Sequence, residues 1–86
     1  MSAFRYAVNV LPKPGILDPQ GRAVELSLPH LRVTNVSMVH IGRRAELTVT
    51  AESEAEARAV VDGLAKELLS NPLIEAYTLE LLAPQP

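Results

Sequence analysis

The sequence predicts an α+β domain whose elements run strand, helix, strand, strand, helix, strand. Three observations carry this. Phe4 to Leu11, Ala45 to Ala51 and Ile74 to Leu82 show the period of two expected of half-buried strands. Two helix starts, Asp18-Pro19 and Ser53 with Glu56, precede apolar residues at helical spacing. Asn71-Pro72 then closes the second helix just before the last strand. A chain of 86 residues is long enough for a single domain, 1–86.

In the first strand Phe4, Tyr6, Val8 and Val10 share one face. Pro12 and Pro14 cannot donate to a ladder and Gly15 loosens the chain, so Pro12 to Leu17 is a connecting loop. Asp18 can accept from a free N–H of the first helical turn, and Pro19 fills the first position without losing a needed donor. Val24, Leu28 and Leu31 lie at i, i+4 and i+7, but Pro29 disfavours helical geometry at Leu28, so the helix should end or kink there.

From Val33 to Ile41 the apolar residues fall on both parities, Val36 and Met38 against Val39 and Ile41, which predicts a strand covered on both faces. Gly42-Arg43 is then expected to turn into the return strand, with Arg43-Arg44 a solvated pair at the hairpin tip. In the second helix Ala57, Val60, Val61, Leu64 and Leu68 mark the buried stripe. The capping box predicts that Ser53 serves the N–H of Glu56 while the Glu56 carboxylate reaches back to the Ser53 N–H, and Asn71 suits a left-handed stop. Tyr77, Leu79 and Leu81 share a face of the final strand, and 83–86 is expected to fray. The order is the split βαβ arrangement of ferredoxin-like domains: four antiparallel strands with both helices on one face, packed by Val24, Leu28, Val60, Val61 and Leu64.

Charge and composition narrow the function. Eight Lys and Arg against ten Asp and Glu give a net charge of −2, no footprint for a phosphate backbone, and the three aromatics lie outside any basic run. Nucleic acid is not an expected partner. No stretch approaches the roughly 20 apolar residues of a membrane span, and the N-terminus lacks a signal-peptide apolar region, so a cytoplasmic protein is expected. There is no cysteine, so a disulfide or thiolate metal site cannot supply stability. A chain this short buries only roughly 60 to 65% of its unfolded surface. The thin core and the two-sided strand therefore point to self-association.

No chemistry-bearing constellation emerges. His30 and His40 have no acidic or cysteine ligand at metal spacing, His30 being expected at the surface and His40 packed or at an interface. Glu52, Glu54 and Glu56 suit a helix N-terminus. Gly63 inside the second helix is expected to be tolerated at some cost in stability. No serine lies in a strand-turn-helix elbow, and no phosphate-binding glycine loop is present.

Three motifs nevertheless resemble one family. Lys13 followed by Ile16-Leu17-Asp18-Pro19-Gln20-Gly21 is similar to the loop and helix start of PurS proteins. Val39-His40-Ile41-Gly42-Arg43 resembles the family's V-x-x-G-K segment, with Arg43 in place of Lys and His40 where Arg is expected. Leu68-Leu69-Ser70-Asn71-Pro72-Leu73-Ile74-Glu75-Ala76-Tyr77 resembles L-L-x-N-P-x-I-E-x-Y. Pro12, Pro14, Pro29 and Arg32 depart from the pattern.

The resemblance implies a PurS-like fold and a small non-catalytic subunit of phosphoribosylformylglycinamidine synthase. Such a subunit docks a glutaminase to an ATP-dependent synthetase and supports ammonia transfer in purine biosynthesis. It implies a homodimer or homotetramer and no cofactor on this chain, with ATP, Mg and glutamine used by the partner subunits. The positions it marks as interface or structural are Lys13, Asp18, Pro19, Gln20, Gly21, Gly42, Arg43, Asn71, Pro72, Glu75 and Tyr77. A regulatory ACT-like domain that binds an amino acid near Gly15 is the alternative.

Overall fold

The computed structural model describes residues 1–83, and the end of the expected frayed tail lies outside them. Among the described residues a three-stranded antiparallel sheet forms in the order β2-β1-β3, from β1 (Ser2–Pro12), β2 (Arg43–Ala51) and β3 (Glu75–Leu82). The central strand pairs with β2 from Ser2 to Val10 and with β3 from Arg5 to Pro12. Tyr6 thereby stands between Leu47 and Leu81, and Val8 between Ala45 and Leu79. This is the face that alternation predicted.

Helix α2 (Glu54–Leu64), continued by a π turn over Ala65–Leu69, covers that face. Ala57, Val61 and Ala65, spaced by four, are fully buried against Tyr6, Val8, Val10 and Val49. Burying Val61 completely contributes on the order of 2 kcal/mol. The opposite face of the sheet is polar, with Arg5 bonded to Thr48 and Glu46, and Arg44 bonded to Asn9, Glu46 and Glu80.

The α+β class, the antiparallel sheet and the two helices agree with the sequence. The fourth strand does not. Residues 33–42 join no ladder, and Met38 takes a left-handed φ of 57° that interrupts any extended run. Val36 and Met38 are exposed, so the surface that their two-sided pattern demands is not supplied among the described residues.

Nor do both helices share one face. Helix α1 (Pro19–Ser27) and the 3-10 turn Leu28–Leu31 pack chiefly against each other, and the only residue α1 buries is Gly21. Val24 and Val60 are exposed, Leu28 and Leu64 are half-buried, and Val61 alone of the five expected packing residues is fully enclosed. Residues 19–42 therefore form an arm that projects from the sheet. The chain extends 52 Å with a radius of gyration of 16.6 Å, against about 12 Å for a compact domain of this length.

Helix ends follow local chemistry. Pro29 ends α1 as expected, and Arg32, at φ 60°, closes the 3-10 turn by donating its N–H to Pro29. Ser53 caps α2 by accepting from Glu56 N at 3.2 Å, but the Glu56 carboxylate accepts from Glu52 N rather than from Ser53 N. Asn71 is not left-handed. The π turn is closed instead by Ser70 Oγ donating to the Ala65 carbonyl at 2.7 Å, while Asn71 Oδ1 accepts from Leu73 N.

Candidate functional site

Most of the positions singled out from the sequence converge at one end of the sheet, where β1 leaves, β2 enters and β3 begins. Pro12 faces Glu75 and Val10 faces Arg43, so the register itself carries Arg43 and Glu75 to this junction. Gly42 makes the approach close enough, since a Cβ there would overlap the Val10 carbonyl. Arg43 is therefore not half of a solvated hairpin tip; it opens β2 and is committed to partners within the chain.

Arg43 grips Glu75 with both terminal nitrogens, at 2.7 and 2.8 Å, and donates from Nη2 to the Leu69 carbonyl at 2.8 Å. One guanidinium thus links β2, β3 and the end of the second helical segment, a use of its planar fork that lysine could not reproduce. Glu75 also accepts from Asn71 N at 2.7 Å. The guanidinium first, and then this backbone N–H, depress the Glu75 carboxyl to about 2, and the same pair raises the Arg43 pKa. Lys13 donates from Nζ to the Pro72 carbonyl at 2.6 Å and from its backbone N–H to Ile74 at 2.9 Å, extending the β1–β3 seam past the strand ends.

Asp18 organises the arm's root. Its Oδ1 accepts from Gly21 N at 2.9 Å, the helix cap that the sequence predicted, and its Oδ2 accepts from Ile41 N at 2.8 Å, which the sequence did not show. His40 Nδ1 lies 3.8 Å away. The Gly21 N–H, then the Ile41 N–H, hold the Asp18 pKa below the ordinary carboxylate value, with His40 a smaller contributor. Gly21 has no room for a side chain, because a Cβ would overlap the Val39 carbonyl and lie 2.7 Å from Asp18 Oδ2.

Pro19 and Gln20 stand beside Asp18 on a groove of about 440 Å³ that Ile16, Leu17, Ile41 and Ile74 also line. Tyr77 stands apart, donating from its hydroxyl to Asp62 Oδ1 at 2.6 Å and tying β3 to α2, which raises its pKa. Asp62 was invisible in the sequence, where it is one more outward acid on a helix. His40 is exposed, so of its two expected roles packing within the chain is excluded, and His30 lies at the surface as expected. Among the described residues no three His, Asp or Glu side chains gather at metal-binding distance. Arg43 and Glu75 hold each other across β2 and β3, and Asp18 bridges Gly21 and Ile41, the chemistry of a structural junction.

The fold that carries this junction recurs in known proteins. The model of the family PurS, phosphoribosylformylglycinamidine (FGAM) synthase, matches residues 5–83. Phosphoribosylformylglycinamidine synthase subunit PurS of Synechocystis sp. is 38% identical over 94% of this chain and 81% of its own length. The crystal structure of the purS subunit from Thermotoga maritima superimposes with a TM-score of 0.85 at 30% identity, covering 94% of this chain and 93% of that one. A structure of PurLQS from the same organism gives a TM-score of 0.86 at 30% identity, over 95% of this chain and 100% of that one. Similarity that spans the sheet, the arm and all three motifs sets the ACT-like alternative aside: the chain belongs to the PurS family of phosphoribosylformylglycinamidine synthase.

Proposed function

We propose that this chain is a non-catalytic subunit of a three-part phosphoribosylformylglycinamidine synthase. It docks a glutaminase, which releases ammonia from glutamine, to a synthetase that uses ATP to convert the formylglycinamide ribonucleotide into its amidine. The family match over residues 5–83 carries this reading. The junction adds support, because its charged groups are spent on holding strands and arm together rather than left facing a reactant. ATP, Mg and glutamine belong to the larger partners, and this chain binds no cofactor. The complex works in the cytoplasm.

Self-association as a dimer or tetramer is part of the same reading. Leu26, Leu31, Val36 and Met38 on the arm and Leu81 on the sheet are between 48% and 79% exposed, apolar surface that a second copy would cover. Co-sedimentation with the glutaminase and the synthetase tests the docking role. Retention of all three chains in one species is expected only when this chain is present. A glutaminase and synthetase that co-sediment equally well without it would exclude docking.

A further inference from the structure

The arm, residues 19–42, has one buried residue, Gly21, so packing on its own sheet does not hold its direction. Its two limbs leave the sheet separately, one through the loop that contains Gly15 at φ 83°, the other through Gly42. Among the described residues no backbone hydrogen bond joins residues 13–21 to residues 33–42. The Asp18 carboxylate joins them instead, with one oxygen on Gly21 N–H and the other on Ile41 N–H, while Gly21 lies flat against the Val39 carbonyl.

We infer that Asp18 is a positioning residue that clamps the two limbs at the arm's root, so that the arm leaves the sheet in one preset direction before any partner binds. The inference deepens the docking reading above, because a preset arm presents its apolar side without the ordering cost that a loose one would incur. The similarity to the Thermotoga maritima subunit and to PurLQS, at TM-scores of 0.85 and 0.86 over 94% and 95% of the chain, includes most of the arm.

Two substitutions in the full chain separate the clamp from the helix cap. Asp18→Ser keeps an oxygen for the Gly21 N–H but cannot reach Ile41, and Asp18→Asn keeps the shape but turns one acceptor into a donor. Backbone amide exchange, small-angle scattering and co-sedimentation are read together. With Asp18→Ser, Gly21 N–H should stay protected while Ile41 N–H exchanges about tenfold faster or more, the size expected for losing a hydrogen bond to a charged group. The scattering profile should broaden toward a mixture of arm directions, and binding to the larger subunits should weaken by a similar factor. Asp18→Asn should loosen Ile41 as well, with far-UV circular dichroism unchanged in both variants because α2 and the sheet do not use Asp18.

Unchanged Ile41 exchange in both variants would overturn the clamp, as would faster exchange with an unaltered scattering profile. If the natural chain fails to bind the larger subunits, the docking reading falls, while exchange and scattering still decide the clamp.

Discussion

Gly42 and Gly63 are both glycines without positive φ, yet opposite outcomes are expected at them. A Cβ at Gly42 would overlap the Val10 carbonyl, and β1, paired on both sides, has nowhere to retreat. Gly42→Ala should cost about 1–3 kcal/mol in urea unfolding. At Gly63 a Cβ would meet nothing within 4 Å, so Gly63→Ala should stabilise the chain by about 0.5–1 kcal/mol through the helical preference of alanine alone. Acid dependence belongs to this scale too. Glu75 titrates at about 2 in the folded chain against an ordinary 4.5, so its contribution is full above 4.5 and lost as the pH falls toward 2. Asp18 acts with the same sign. Glu75→Gln should therefore flatten the fall of the urea midpoint over that acid range, and an unchanged slope would show that the Arg43–Glu75 pair does not hold the junction.

At the scale of elements, local signals were legible and a missing neighbour was not. The strand alternations, the Asp18 and Ser53 caps and the stop at Pro29 are written in adjacent residues, and the structure has them. Ser53→Ala should accordingly cost about 1 kcal/mol, read as a lower urea midpoint. The segment Val33 to Ile41 was expected as a strand from its apolar content on both parities. A ladder also needs an edge to pair with, however, and among the described residues no segment pairs with the outer edge of β2. The same limit applies to the site. Three sequence motifs marked Lys13, Asp18, Gly42, Arg43, Asn71, Pro72 and Glu75, but their convergence rests on the register of β1 against β2 and β3, and Asp62 as the partner of Tyr77 carried no signal at all.

For the whole molecule, a chain of 52 × 33 × 15 Å with an unpacked arm is a poor solution to the burial problem of a small domain. If the proposed self-association supplies what the fold leaves out, the thermal midpoint should rise with protein concentration. Sedimentation at micromolar concentration should find no stable 9.3 kDa species. A midpoint independent of concentration, together with a clean monomer, would remove the self-association.

The docking role is tested most directly by reconstituting amidine formation from the glutaminase and the synthetase, with and without this chain, supplying nitrogen either as glutamine or as an ammonium salt. A subunit that acts by holding two active sites together should be needed for the glutamine-dependent rate and far less for the ammonium-dependent one. Equal glutamine-dependent rates in its presence and absence would contradict that role.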